Sequence, residues 1–182
     1  MGSEKPNLII LNGVSSAGKS SIATALQKRL EDGFLHFQMD TFWNMLPAGR
    51  LAREFPNMKF AIMDSAAALL KHGHNVILDI VCPADKLEGL PRPLSEYQPY
   101  VVSVKASLEV LREREKLRQD RNQGLAESQY TSIYKSGAAN LEIDTSAMTA
   151  EQSASKIIEA YEARLQRGLE PVPLPERCPK PF

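Results

Sequence analysis

The 182-residue chain is poor in cysteine: Cys82 and Cys178 are too few for a disulfide framework or a cysteine-based zinc site. It has no excess of either charge, since 22 Lys and Arg balance 22 Asp and Glu. A neutral chain lacks the field that draws proteins onto nucleic acid or anionic membrane surfaces, so neither is expected as a partner. No apolar run approaches the ~20 residues needed to span a bilayer. Met1 to Asn7 lack the basic flank, apolar stretch and cleavage site of a secretory signal. The expectation is a reduced, cytoplasmic protein. The length fits about one domain, and 43% hydrophobic with 24% charged residues is an ordinary globular balance.

Apolar runs alternate with helical patterns along the chain. Leu8 to Leu11 reads as a buried parallel strand. Ile22, Ala25, Leu26 and Leu30 follow at helical spacing, with Gly33 beyond them. Phe34 to Met39 reads as a second strand. A helix is expected from about Met58 to His72, with Phe60, Met63, Ala67 and Leu70 on one face and Gly73 as its stop. Val76 to Asp79, Tyr100 to Val104 and Leu141 to Ile143 supply three further strands. Ser107 to Arg121 reads as a charged, largely exposed helix. Thr149 and Gln152 stand at capping-box spacing before the stripe of Ala154, Ile157, Ile158, Tyr161 and Leu165, and Gly168 ends that helix. Five prolines between Leu169 and Phe182 exclude regular structure there. This alternation predicts an α/β fold, a parallel sheet of about five strands with helices on both faces. The expected organisation is one domain over residues 1–168 and an extended tail over 169–182.

The most specific signal is Gly13-Val14-Ser15-Ser16-Ala17-Gly18-Lys19-Ser20, which fits the phosphate-loop pattern G-x-x-x-x-G-K-[ST] at every fixed position. An apolar strand enters it and an amphipathic helix leaves it, as the mechanism requires. Glycines let the backbone curl so that successive N–H groups, continuing into Ser21, converge on phosphate oxygens beside the helix dipole. Lys19 would reach the β/γ-phosphates of ATP, and Ser20 would place its hydroxyl on Mg²⁺. The chain has no D-x-x-G and no N-K-x-D, which counts against a guanine-nucleotide switch, and it lacks room for the extra elements of most motor ATPases. A three-layer P-loop kinase is the leading class.

In doubly wound sheets ligands gather at the carboxyl ends of strands. Asp40 closes the second predicted strand and Asp79 the third. Either carboxylate would accept a proton from an attacking hydroxyl or hold the magnesium shell, or would simply cap the next element. Phe42 and Trp43, followed by Met45 and Leu46, line an acceptor pocket in one reading and a helix core in the other. Arg114, Arg118 and Arg121 fall at i, i+4, i+7 and share one helical face. Such a row clamps a phosphate during transfer if the segment of about 112–130 is a lid hinged at Asn122 to Ala126. The alternative is a solvated helix of Glu–Arg pairs. His36, His72 and His74 show no metal-ligand pattern.

With these residues in place, the chain resembles the chloramphenicol phosphotransferase family of small P-loop kinases, from Leu8 to about Ile158. The likeness is most specific in Ile9 to Ser20, where Asn-Gly-x-Ser-Ser-Ala-Gly-Lys-Ser is narrower than a general phosphate loop. It continues through Asp40, Gly73 to Asp79, Arg114 to Arg121 with Gly124, and Glu142 to Ser146. The resemblance implies ATP-dependent transfer of a γ-phosphoryl group to a small hydroxyl-bearing acceptor, which in that family inactivates an antibiotic. It also implies Asp40 as general base, Lys19 and its loop as the phosphate site, and Arg118 and Arg121 as lid residues. Three departures lie on the acceptor side: Ile80 follows Asp79 where a second acid is common, Ile133-Tyr134 replaces an expected Val-His pair, and the loop between Asp40 and the Asp79 strand is shorter than in the antibiotic enzyme. The alternatives are a toxin-like kinase of nucleotide sugars, another metabolite kinase, or an ATP-binding regulatory module that is not a kinase.

Overall fold

A computed structural model describes residues 5–47, 49, 51–87, 92–118, 124–134 and 139–167. Arg121, Gly168 and the proline-rich segment 169–182 lie outside the described residues, as does 119–123 of the proposed lid.

Five strands form one sheet: β1 (Leu8–Asn12), β2 (Leu35–Gln38), β3 (Val76–Ile80), β4 (Tyr100–Lys105) and β5 (Leu141–Asp144). Their order is β2-β3-β1-β4-β5 and every pairing is parallel. The fold is therefore the predicted α/β architecture. The helices are α1 (Lys19–Gln27), α2 (Met39–Trp43), α3 (Leu51–Lys71), α4 (Ala84–Leu87), α5 (Arg92–Ser95), α6 (Leu108–Lys116), α7 (Leu125–Ile133) and α8 (Ala150–Gln166).

The two-residue alternation of strand side chains divides the core in two. Ile9 and Leu11 face a layer built from Ile22 and Leu26 of α1, Leu111 of α6, Ile133 of α7 and Ile157 of α8. Leu8 and Ile10 face the other layer, where Ala66 and Leu70 of α3 meet Leu87 and Leu94. β1 is buried along its whole length because both its faces are covered. This arrangement fixes the loop after β1 at the middle of the sheet, between the ends of β3 and β4.

Several predicted boundaries move. β2 stops at Gln38, so Asp40 lies in the first turn of α2 and not at a strand end. β3 runs to Ile80, one residue beyond Asp79. α3 starts seven residues before the predicted Met58, because polar residues and Pro56 obscure the helical period in its opening turns. Its buried face is Ile62, Ala66 and Leu70 with Met63 and Ala67 alongside, while the predicted core residue Phe60 is exposed. The capping box on α8 forms in both directions between Thr149 and Gln152. Of the predicted α8 stripe, Leu165 is exposed.

The charged segment departs most from expectation. α6 ends at Lys116 with Leu117 as its C-cap, so Arg118 leaves the helix and does not share a helical face with Arg114. Leu125 and Ala126, read as part of a hinge, open a nine-residue helix, α7, whose N-cap is Gly124 in the left-handed region. The charged helix is not uniformly exposed either, for Glu115 is 2% exposed.

Candidate active site

The phosphate loop turns between β1 and α1. Gly18 adopts φ 96° as the N-cap of α1, a conformation that a β-carbon would strain, and Ser16 takes φ 61°. Gly13 is required for a different reason. A β-carbon there would lie 2.2 Å from the backbone oxygen of Val104, so only glycine lets β1 run into the loop beside β4. Val14 and Ala17 are fully buried behind the turn.

Lys19 curls over the loop: its Nζ donates to the carbonyls of Gly13 at 2.9 Å and Val14 at 3.0 Å, and stands 3.7 Å from Asp79 Oδ1. Ser20 Oγ donates to Asp79 Oδ2 at 2.7 Å. The parallel register that sets Gln38 beside Asp79 also brings His36 of β2 to the same carboxylate, with Nε2 3.5 Å from Oδ2. At that spacing the imidazole is in polar contact with the carboxylate and not in a well-formed hydrogen bond. Burial raises the Asp79 pKa, but His36, Lys19 and Ser20 outweigh it and hold the carboxyl below its ordinary value. Asp79 is thus an anionic anchor between the loop lysine and the loop serine.

A cavity of about 480 Å³ opens above this group. Ser15, Ser16, Gly18, Lys19, Ser20 and Ser21 line it together with Asp40, Asp79, Arg114 and Arg118. It extends past Thr145 to Met148 and Thr149 before α8. The structure therefore brings Lys19, Ser20, Asp40, Asp79 and Arg118 around one space. It does not bring Phe42 and Trp43 there. Both are half-buried away from the cavity lining, and the Phe42 ring packs against Phe37 with centroids 5.4 Å apart.

The lining fits a magnesium–triphosphate. Ser15 Oγ and Ser16 Oγ, on two of the lining residues, are buried without a hydrogen-bond partner. A polar group in that state is costly unless a ligand satisfies it. Among the described residues no three metal-ligating side chains cluster. Magnesium in phosphate-transfer sites needs no such cage, because it takes one or two protein ligands and completes its shell with phosphate and water. Ser20 and Asp79, hydrogen-bonded to each other beside Lys19, are the residues that would hold it.

Sequence reading missed the supports. Arg114 is locked in place, donating to Ser16 O at 3.3 Å, Thr145 Oγ1 at 2.9 Å and Thr145 O at 2.7 Å. Thr145 Oγ1 itself donates to Ala17 O at 2.8 Å. Thr145 thereby ties Arg114 to the backbone of the loop. The buried Glu115 carboxylate accepts the N–H groups of Gly124 at 2.9 Å and Ala126 at 2.7 Å, capping α7. Glu115 carries a readable signal, an acid inside a run of charges on the side occupied by Leu111. Thr145 carries none, because its partners are backbone atoms distant in sequence.

Among the described residues no helix is long and apolar enough to cross a membrane. A Mycobacterium tuberculosis protein named "Putative O-phosphotransferase Rv2636" is 27% identical over 89% of this chain and 85% of its own. Solved structures share the fold. One described as a "putative kinase" from Chloroflexus aurantiacus has a TM-score of 0.67 at 20% identity, over 92% of this chain and all of that one. The APS kinase of Mycobacterium tuberculosis has a TM-score of 0.64 at 17% identity, over 87% of this chain and 98% of its own. The model of the chloramphenicol phosphotransferase-like protein family matches residues 6–162, nearly the whole described fold, and the chain belongs to that family.

Proposed function

We propose that this protein is an ATP-dependent kinase that transfers the γ-phosphoryl group to a hydroxyl of a small molecule. The observation that carries the reading is the Lys19–Asp79–Ser20 cluster at the loop, with Asp40 and Arg118 lining the same cavity. Family membership and the M. tuberculosis relative's name point the same way. Magnesium, held through Ser20 and Asp79, would neutralise charge on the phosphates.

The two acids divide the work. Asp79 is held by Ser20, Lys19 and His36, and its lowered pKa makes it a poor proton acceptor. Asp40, at the cavity wall on the short helix α2, is the better-placed base for the acceptor hydroxyl. Lys19 and Arg118, which line the same cavity, would neutralise the negative charge that spreads during in-line transfer. Arg114 belongs to the scaffold that shapes the loop.

The test is a panel of hydroxyl-bearing acceptors, including chloramphenicol and nucleotide sugars, incubated with labelled ATP and magnesium. A phosphorylated product is expected, and the acceptor that carries the label identifies the substrate class. Asp40→Asn should retain nucleotide binding and lose on the order of 10²–10⁴-fold in transfer. Slow phosphate release with no labelled acceptor would favour an ATP-binding regulatory module instead. Near-normal transfer by the Asn variant would remove Asp40 from the role of base.

A further inference from the structure

The front of the phosphate loop is gripped from behind by α7 and the residue after it. Val14 N–H donates to the Tyr134 hydroxyl at 3.2 Å, and Ser15 N–H donates to Gln129 Oε1 at 3.0 Å. Neither side chain lines the cavity. Tyr134 completes its own bonding by donating to Val104 O at 2.7 Å.

The two peptide groups concerned are bound on both sides. In a trans peptide the carbonyl and the following N–H point in opposite directions. Tyr134 takes the N–H of the Gly13–Val14 peptide, and Lys19 Nζ takes its carbonyl. Gln129 takes the N–H of the Val14–Ser15 peptide, and Lys19 Nζ takes its carbonyl as well. Both carbonyls that seat the Lys19 ammonium are therefore oriented by side chains on the far side of the loop. Removing one rear acceptor frees its peptide to rotate, and the lysine loses an anchor.

We propose that Gln129 is a positioning residue for Lys19, acting through the Val14–Ser15 peptide. The same helix is fixed at its other end by Glu115, so α7 joins the arginine-bearing α6 to the phosphate loop. The inference rests on Lys19 as the phosphate-binding group, and it predicts an effect that is visible before any nucleotide is added.

The experiment uses the full chain with Gln129→Met, which keeps the side-chain volume and removes the acceptor, and Gln129→Glu, which keeps an acceptor oxygen. Acetylation of lysine amines is followed residue by residue by mass spectrometry, with the exposed Lys28 as internal control. Magnesium–ATP affinity is measured calorimetrically on the same samples. In the Met variant Lys19 should label roughly 5-fold faster and ATP should bind roughly 5-fold more weakly, the scale of one lost hydrogen bond. Lys28 should be unchanged, and the Glu variant should keep Lys19 protected. Unchanged Lys19 labelling in the Met variant overturns the proposal whatever the affinity does, and so does a Glu variant that labels as fast as Met. A wild-type protein that binds no ATP strikes the kinase reading, while the labelling still judges Gln129.

Discussion

Replacing Glu115 by Gln tests whether one buried carboxylate holds the two helices of the arginine segment together. Glu115 is 2% exposed and accepts two backbone N–H groups at the start of α7. A glutamine has one carbonyl oxygen, so its NH₂ must face one of those donors. The oxygen should stay on Ala126 N–H, which is buried, and the NH₂ should turn to Gly124, whose N–H lies nearer solvent and can recover a water. The bond to Ala126 then changes from charge-assisted to neutral, and the other is lost. Together these cost about 1–2 kcal/mol. In a chain of this size that is a fall of roughly 2–8 °C in melting temperature. Glu115→Ala removes both acceptors and leaves a gap, costing about 2–5 kcal/mol. Urea unfolding with a constant slope, supported by thermal melts, measures both variants. A Gln variant within about 0.5 kcal/mol of wild type, the scatter of an ordinary surface substitution, would refute the reasoning. So would a Gln variant less stable than the Ala variant.

Gly13→Ala should abolish tight magnesium–ATP binding and cost at least about 1–3 kcal/mol, because its β-carbon would meet backbone at 2.2 Å and no side chain can yield. Calorimetry beside a urea curve checks this, and wild-type affinity in the variant would contradict it. Stability should also decline in alkali. Burial pushes the Tyr134 phenol up to about 12 from an ordinary 10.0. Because the folded value is raised, the contribution is whole below pH 10 and is lost as pH rises toward 12. The slope across that window is about 1.4 kcal/mol per pH unit for this group. Tyr134→Phe should remove one such share from a pH series of urea midpoints, leaving those of Tyr161, also pushed up to about 12 by burial, and of Tyr100, which burial raises as well. Identical alkaline slopes in the variant and wild type would exclude Tyr134 as a contributor.

Local patterning made much of the architecture legible. Continuous apolar runs belong to strands covered on both faces, and this held for β1 and β3, whose every residue is buried. The capping box of α8 is a four-residue rule and was readable for that reason. α7 escaped notice because its short sequence, LAESQYTSI, carries little apolar periodicity and follows a glycine. Its place in the fold comes from Ala126 and Ile133 reaching the core and from Glu115 capping its first turn. β2 ends one residue before the predicted Met39, since nothing between Gln38 and Asp40 signals a change from strand to helix.

The phosphate loop is a local object: its glycines, lysine and serine must lie at set intervals along one stretch of backbone, so the amino-acid order alone determined its existence and chemistry. What surrounds it was decided only in three dimensions. Parallel pairing of β2, β3 and β1 brings His36 and Asp79 to Ser20, and packing of α7 sets Gln129 and Tyr134 behind Val14 and Ser15. Those contacts span as many as 120 residues. The physical reason is that hydrogen bonds to backbone atoms ask only for a donor or acceptor at the right point in space, and leave no spacing rule in the chain that supplies it.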